Sequence, residues 1–83
     1  VHGGGWRGGD KTNPACGREK AAFFNAQDAV YVSVNYRLSP AVKHPVHAQD
    51  VAAAVAWVLD HITEYGGDPA KVMVMGHSAG AHL

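Results

Sequence analysis

Two kinds of apolar spacing alternate along the chain. Val51, Val55, Val58, Leu59 and Ile62 recur three and four residues apart, which places them on one face of a helix. Ala52, Ala53, Ala54 and Ala56 add helix propensity between them. This pattern predicts a helix over residues 46–65, with Pro45 as its first residue and Gly66-Gly67 as its stop. Val30-Tyr31-Val32-Ser33-Val34 and Val72-Met73-Val74-Met75 are different: short, nearly continuous apolar runs. Each predicts a strand buried on both faces, as in a parallel sheet.

The remaining segments fill in around these. Residues 3–17 hold six of the ten glycines, with Asp10, Asn13 and Pro14 among them, and read as loop. Residues 18–28 mix Ala21, Ala22, Phe23 and Phe24 with polar positions and predict a short helix. Residues 35–45 are a connection, with Ser39-Pro40 and His44-Pro45 as turn signals, and Asp68-Pro69 restarts the chain as a cap and first-turn pair. Ala81-His82-Leu83 open a last helix. The order is loop, helix, strand, helix, strand, turn, helix. It implies an α/β fold with a mostly parallel sheet and crossover helices.

Composition narrows the function classes. Of 83 residues, 47% are apolar, and seven Lys and Arg balance seven Asp and Glu. A neutral chain gives no basic surface for nucleic acid and no polybasic membrane arm. No apolar run approaches the ~20 residues that span a bilayer. Cys16 is the single cysteine, so no intrachain disulfide and no cysteine metal cluster is expected. One thiol fits a reducing compartment such as the cytoplasm.

The chemistry concentrates at two glycine motifs. Gly76-His77-Ser78-Ala79-Gly80 falls where an apolar run ends and a helix begins. A serine hydroxyl becomes a useful nucleophile when a base reaches it and a tight strand-to-helix turn pushes its oxygen out. Small residues two positions to either side let neighbouring backbone come close in such a turn. The Ala79 N–H then faces the charge that develops on a substrate oxygen. Composition alone produces Gly-x-Ser-x-Gly in such a chain about 4% of the time, so the position after a strand carries the reading. His2-Gly3-Gly4-Gly5-Trp6 is the second motif. Three glycines in a row let backbone N–H groups point into a cavity. Beside a serine turn they supply the other half of an oxyanion hole, whereas alone they would be a flexible loop. His2 precedes these donors and is expected to tie the loop down rather than act as a base.

These residues carry a resemblance. The chain resembles the central part of an α/β-hydrolase of the esterase and lipase group, which includes the hormone-sensitive-lipase-like enzymes. The matching pieces are His2-Gly3-Gly4-Gly5-Trp6, Val34-Asn35-Tyr36-Arg37-Leu38-Ser39-Pro40, Asp50, Gly66-Gly67-Asp68-Pro69 and Gly76-His77-Ser78-Ala79-Gly80-Ala81-His82-Leu83. The histidine at 77, where the common hormone-sensitive-lipase pattern has Asp, is closer to bacterial feruloyl-esterase-like enzymes and arylformamidases. The resemblance implies Ser78 as nucleophile, with oxyanion donors from Ala79 and from the loop glycines Gly4 and Gly5, Gly3 being the third candidate. It implies no cofactor and no metal. It also implies that residues 1–83 are an internal segment of one α/β-hydrolase domain, with the triad acid and histidine after Leu83 in chain order.

Other polar residues have plainer readings. His82 lies one turn beyond the serine and is expected to point off the sheet rather than over the hydroxyl. His77 is expected to pack beneath the turn, facing away from Ser78. His44, His47 and Asp50 have a spacing that some metal sites use, yet a solvated helix start explains them as well. Arg37 and Asp50 either pair to brace the loop or stay solvated. Trp6 and Phe24 are candidates for an acyl pocket; Trp57 and Tyr65 are expected to pack. The expected substrate is a small-molecule ester, with formamide hydrolysis and a silent ligand-binding protein as the alternatives.

Overall fold

The computed structural model describes the backbone of residues 1–83 and every side chain except those of Ala15 and Cys16. The lone thiol therefore lies outside the described side chains. A π-helical turn, Ala15–Glu19, runs into helix α1, Lys20–Asn25. The long helix α2 spans Val46–His61 and tightens into a 3-10 turn at Ile62–Tyr65. A short helix α3, Ala79–His82, follows the serine turn. Among the described residues, no helix is long and apolar enough to cross a membrane.

Helix α2 follows the predicted periodicity. Val51 and Ile62 are buried, Val55 and Val58 half-buried, and Leu59 sits exposed at the edge of the stripe. Pro45 is the cap residue and Val46 the first helical one, a shift of one position. Gly66 ends the element at φ 85°, and its N–H donates to the Ile62 and Thr63 carbonyls. A left-handed residue at that place is the usual helix stop. Asp68 then forms a turn, its carboxylate accepting from the Ala70 N–H at 2.9 Å.

The two expected strands are where the structure departs from the pattern. Residues 30–34 and 72–75 run without turn or bend, but among the described residues no strand is formed. Val30, Val32 and all four residues 72–75 are exposed. The cause is physical: β-branched side chains favour an extended backbone, but a ladder needs a partner on each edge. One short contact of that kind exists. Val1 N donates to Met75 O at 2.7 Å, and His77 N donates to Val1 O at 3.2 Å. Two bonds flanking Gly76 in this way are the spacing of a parallel pair.

The core is small and largely polar in its fastenings. Tyr36, Val51, Ile62 and Ala79 are the buried apolar residues among those described, joined by buried His2 and His47. The His2 ring stacks on Tyr36 at 4.4 Å, and Tyr36 meets His47 edge-on at 6.3 Å. A groove of about 350 Å³ separates residues 32–35 from α2, lined by Val32, Val34, Ala54, Trp57 and Val58 among others. It includes neither glycine motif.

Two carboxylates pin the loops. Asp50 accepts from Arg37 Nε at 2.9 Å and Nη2 at 2.8 Å, and from the Arg37 backbone N–H at 2.9 Å. The pairing alternative for Arg37 is thus the one found. Asp10 accepts from the Thr12 hydroxyl at 2.6 Å, the Thr12 N–H at 2.8 Å and the Asn35 amide at 3.2 Å. The Thr12 hydroxyl holds the Asp10 carboxyl down at about 2, against an ordinary 3.8, and Arg37 does the same for Asp50. A carboxyl depressed in the folded state lends stability that is complete above its ordinary value and is lost as pH falls through the folded value. The Thr12 and Arg37 amide resonances should therefore move together with a midpoint near pH 2. A midpoint near 3.8 in NMR titration would show that these contacts do not hold in solution.

Candidate active site

Ser78 adopts φ 55° and ψ −120° and is exposed. A non-glycine residue in the left-handed region is held there at a cost of ~1–3 kcal/mol, so its surroundings must impose it. They do so through backbone contact. A Cβ on Gly76 would lie 2.5 Å from the Gly80 carbonyl oxygen and 2.7 Å from Ala81 N. The turn folds back on itself so closely that no side chain fits at its entry. A Cβ on Gly80 would collide with the carbonyl of Val1 and come 2.5 Å from that of His2. The helix start is thereby pressed onto the N-terminal segment.

The same closeness joins the two motifs. A Cβ on Gly3 would sit 2.9 Å from His77 O and 3.1 Å from Ser78 Cβ. The first loop glycine therefore lies directly against the serine. Beyond it the loop turns, with Gly4 O accepting from Arg7 N at 3.2 Å and Gly8 N at 2.9 Å. Gly4 and Gly5 have φ 127° and 60°. Among the described residues, the N–H groups of Gly4, Gly5 and Ala79 donate to no protein acceptor. Ala79 is 3% exposed, so its free N–H is a buried donor beside an exposed hydroxyl.

His2 has the anchoring place expected of it. Its Nδ1–H donates to Gly3 O at 2.7 Å, and its own carbonyl accepts from the Tyr36 hydroxyl at 2.9 Å. Burial pushes the Tyr36 phenol above its ordinary value, which keeps that donor protonated. No imidazole hydrogen-bonds the Ser78 hydroxyl among the described residues. His82 packs edge-on against Trp6 at 5.4 Å and lies 6.0 Å from His44. His77 is exposed, which corrects the expectation that it packs beneath the turn. Residues 71–78 are all exposed, so no strand alternation turns one face of this segment inward.

The His44, His47 and Asp50 spacing does not gather the three together. Asp50 is committed to Arg37, and His47 Nε2 lies 3.0 Å from Ser39 Oγ. Trp6 contacts His82, while Phe24 stacks on Tyr31 at 5.9 Å, so the two pocket candidates have separate partners. Trp57 stacks on His61 at 4.5 Å and lies 6.1 Å from Tyr65, but Trp57 and Tyr65 both remain exposed, which corrects the expectation that they pack. Tyr36, Ser39 and His47 have functional contacts that the sequence did not point to: Tyr36 and Ser39 were marked only by their place in Val34-to-Pro40, and His47 only by its spacing from His44 and Asp50.

Comparison with known proteins adds the family. The BD-FAE family model matches residues 1–83. The chain is 41% identical over 83 residues to the probable carboxylic ester hydrolase LipM of Mycobacterium tuberculosis, covering 100% of this chain and 19% of that protein. It is 41% identical to carboxylesterase NlhH of the same species, covering 99% of this chain and 25% of the relative. It is 39% identical over 87 residues to arylacetamide deacetylase of Bos taurus, covering 100% and 21%. The chain thus spans about a fifth to a quarter of the length of these relatives. No solved structure matches it.

The close packing has a direct consequence. Gly80→Ala should lower stability by roughly 1–3 kcal/mol, the usual cost of forcing a methyl group into packed backbone. A calorimetric melting temperature unchanged by this substitution would mean the turn and the N-terminal segment are not in contact.

Proposed function

The chain belongs to the BD-FAE family, and from that premise we propose that it is the part of an α/β-hydrolase domain carrying the oxyanion loop and nucleophile turn of a serine hydrolase of carboxylic esters. Two of the relatives are named carboxylic ester hydrolase and carboxylesterase, which supports the ester substrate class. One observation carries the mechanism: an exposed, left-handed Ser78 abuts Gly3, with the unused N–H of Ala79 beside it.

In this mechanism Ser78 Oγ attacks the ester carbonyl carbon and its proton passes to a general base. By the family resemblance that base is a histidine following Ser78 in chain order. The carbonyl oxygen becomes an oxyanion held by the N–H of Ala79 and of Gly4 and Gly5, with Gly3 as the third candidate. Collapse expels the alcohol, which takes the proton back, and leaves an acyl-enzyme. Water then attacks the acyl carbon and frees the acid and Ser78. Every step uses side chains, backbone and water, with no cofactor or metal.

A second reading has support of its own. The relative named arylacetamide deacetylase points to an amide bond, which the same acyl-enzyme route would cleave. Parallel assays of an aryl ester and the matching aryl amide decide between the two.

In the whole protein, a fluorophosphonate probe should label Ser78, and Ser78→Ala should remove turnover by several orders of magnitude while the fold persists. Label on another serine, or full turnover by the alanine variant, contradicts the assignment. Gly5→Val should lower kcat with little change in KM. Its Cβ would meet nothing, but φ 60° suits no β-branched residue, so the backbone donor would move. Loss of one such donor is worth about 3 kcal/mol in comparable sites. A change confined to KM would make the loop a substrate-positioning element instead.

A further inference from the structure

Residues 36–39 hold the glycine loop at both ends. The Tyr36 hydroxyl donates to His2 O at 2.9 Å on one side of Gly3, Gly4 and Gly5, and Ser39 N donates to Trp6 O at 2.7 Å on the other. Trp6 itself sits at φ 61°, a conformation that needs outside support. His47 touches both holding residues. It meets the Tyr36 ring edge-on, and its Nε2 lies 3.0 Å from Ser39 Oγ.

The direction of that last bond can be worked out. Ser39 Oγ also lies 3.0 Å from the Val42 carbonyl, which can only accept, so the single hydroxyl proton goes there. His47 Nε2 must then carry the hydrogen and donate to Ser39 Oγ. The other ring nitrogen, Nδ1, is buried with no partner, and the side chain is almost fully enclosed, at 3% exposure. A buried polar atom left unpaired costs stability, so the ring is kept for its Nε2 end.

We propose that His47 is a positioning residue for the oxyanion loop, acting through Nε2–H on Ser39 and through its edge on Tyr36. It touches no substrate. It fixes the two residues that fix His2 and Trp6, and so fixes where the glycine N–H groups between them point. Misplacing such donors by a fraction of an ångström weakens transition-state binding more than ground-state binding. The inference rests on the serine-hydrolase reading above.

The geometry separates two conservative substitutions. His47→Gln places an amide N–H near Nε2, whereas His47→Asn places its amide near Nδ1 and leaves Ser39 unheld. Steady-state kinetics of the whole protein on a short-chain nitrophenyl ester should show His47→Gln within about twofold of wild type in kcat. His47→Asn should lose roughly ten- to a hundredfold in kcat with KM little changed. Equal kcat for the two variants, or an effect confined to KM, overturns the proposal. If His47→Asn does not fold, Tyr36→Phe decides, since it removes one hydroxyl and no core volume. A fall in kcat at an unchanged melting temperature supports the clamp, and an unchanged kcat refutes it. Ser78→Ala run alongside keeps the two claims apart: turnover without Ser78 sinks the serine-hydrolase reading, whereas dependence on Ser78 with indifference at residues 36 and 47 sinks only the clamp.

Discussion

Backbone touches backbone between residues 1–3 and 76–80, and no side chain fits in the gap. Val1 bonds on both sides of Gly76, Gly80 lies against the Val1 and His2 carbonyls, and Gly3 lies against Ser78. Everything chemical about the chain depends on this contact. It brings a loop with free N–H groups to a serine far away in sequence. It also explains how Ser78 can hold a positive φ: the residues around it are trapped, and the strain has nowhere to relax. Glycine at these positions is a steric requirement of that approach.

The contact is secured more by polar fastenings than by buried apolar area. Few apolar side chains are enclosed, and Val30, Val32 and residues 72–75 remain exposed. What holds the glycine loop is a chain of directed bonds from Tyr36, Ser39 and His47, with the Asp10 and Asp50 networks pinning the neighbouring segments. Exposed ion pairs such as Arg37–Asp50 contribute little to global stability. Their value here is geometric. The Arg37 backbone N–H is one of the three donors to Asp50, so the carboxylate fixes the chain next to Tyr36.

Local signals were legible in the sequence, and long-range ones were not. Helix α2 follows from a spacing of three and four residues, and its end at Gly66 follows from a residue that tolerates the left-handed region. The serine turn was legible from small residues around Ser78, and the anchoring place of His2 from its position before the glycines, whereas the last helix starts at Ala79, two residues before the predicted Ala81. Residues 30–34 and 72–75 predict buried strands, yet none forms among the described residues, because whether a ladder forms depends on partners their own composition does not describe. The roles of Tyr36, Ser39 and His47 were not legible for the same reason: each matters through a bond to a residue elsewhere in the chain. The exposure of His77 goes with that of residues 71–78 as a whole, which an alternation rule for a paired strand does not anticipate.

The central claim is that the glycine loop and the Ala79 N–H converge on a single oxygen attached to chemistry at Ser78. A crystal structure of the whole protein after reaction with a phosphonate ester tests it directly, because the tetrahedral adduct carries an oxygen where the oxyanion would be. The expected result is a bond from Ser78 Oγ to phosphorus, with a phosphonyl oxygen about 2.7–3.1 Å from the N–H of Ala79 and of Gly4 or Gly5. An adduct on Ser78 whose oxygen points into solvent, with the loop glycines turned away, would contradict it.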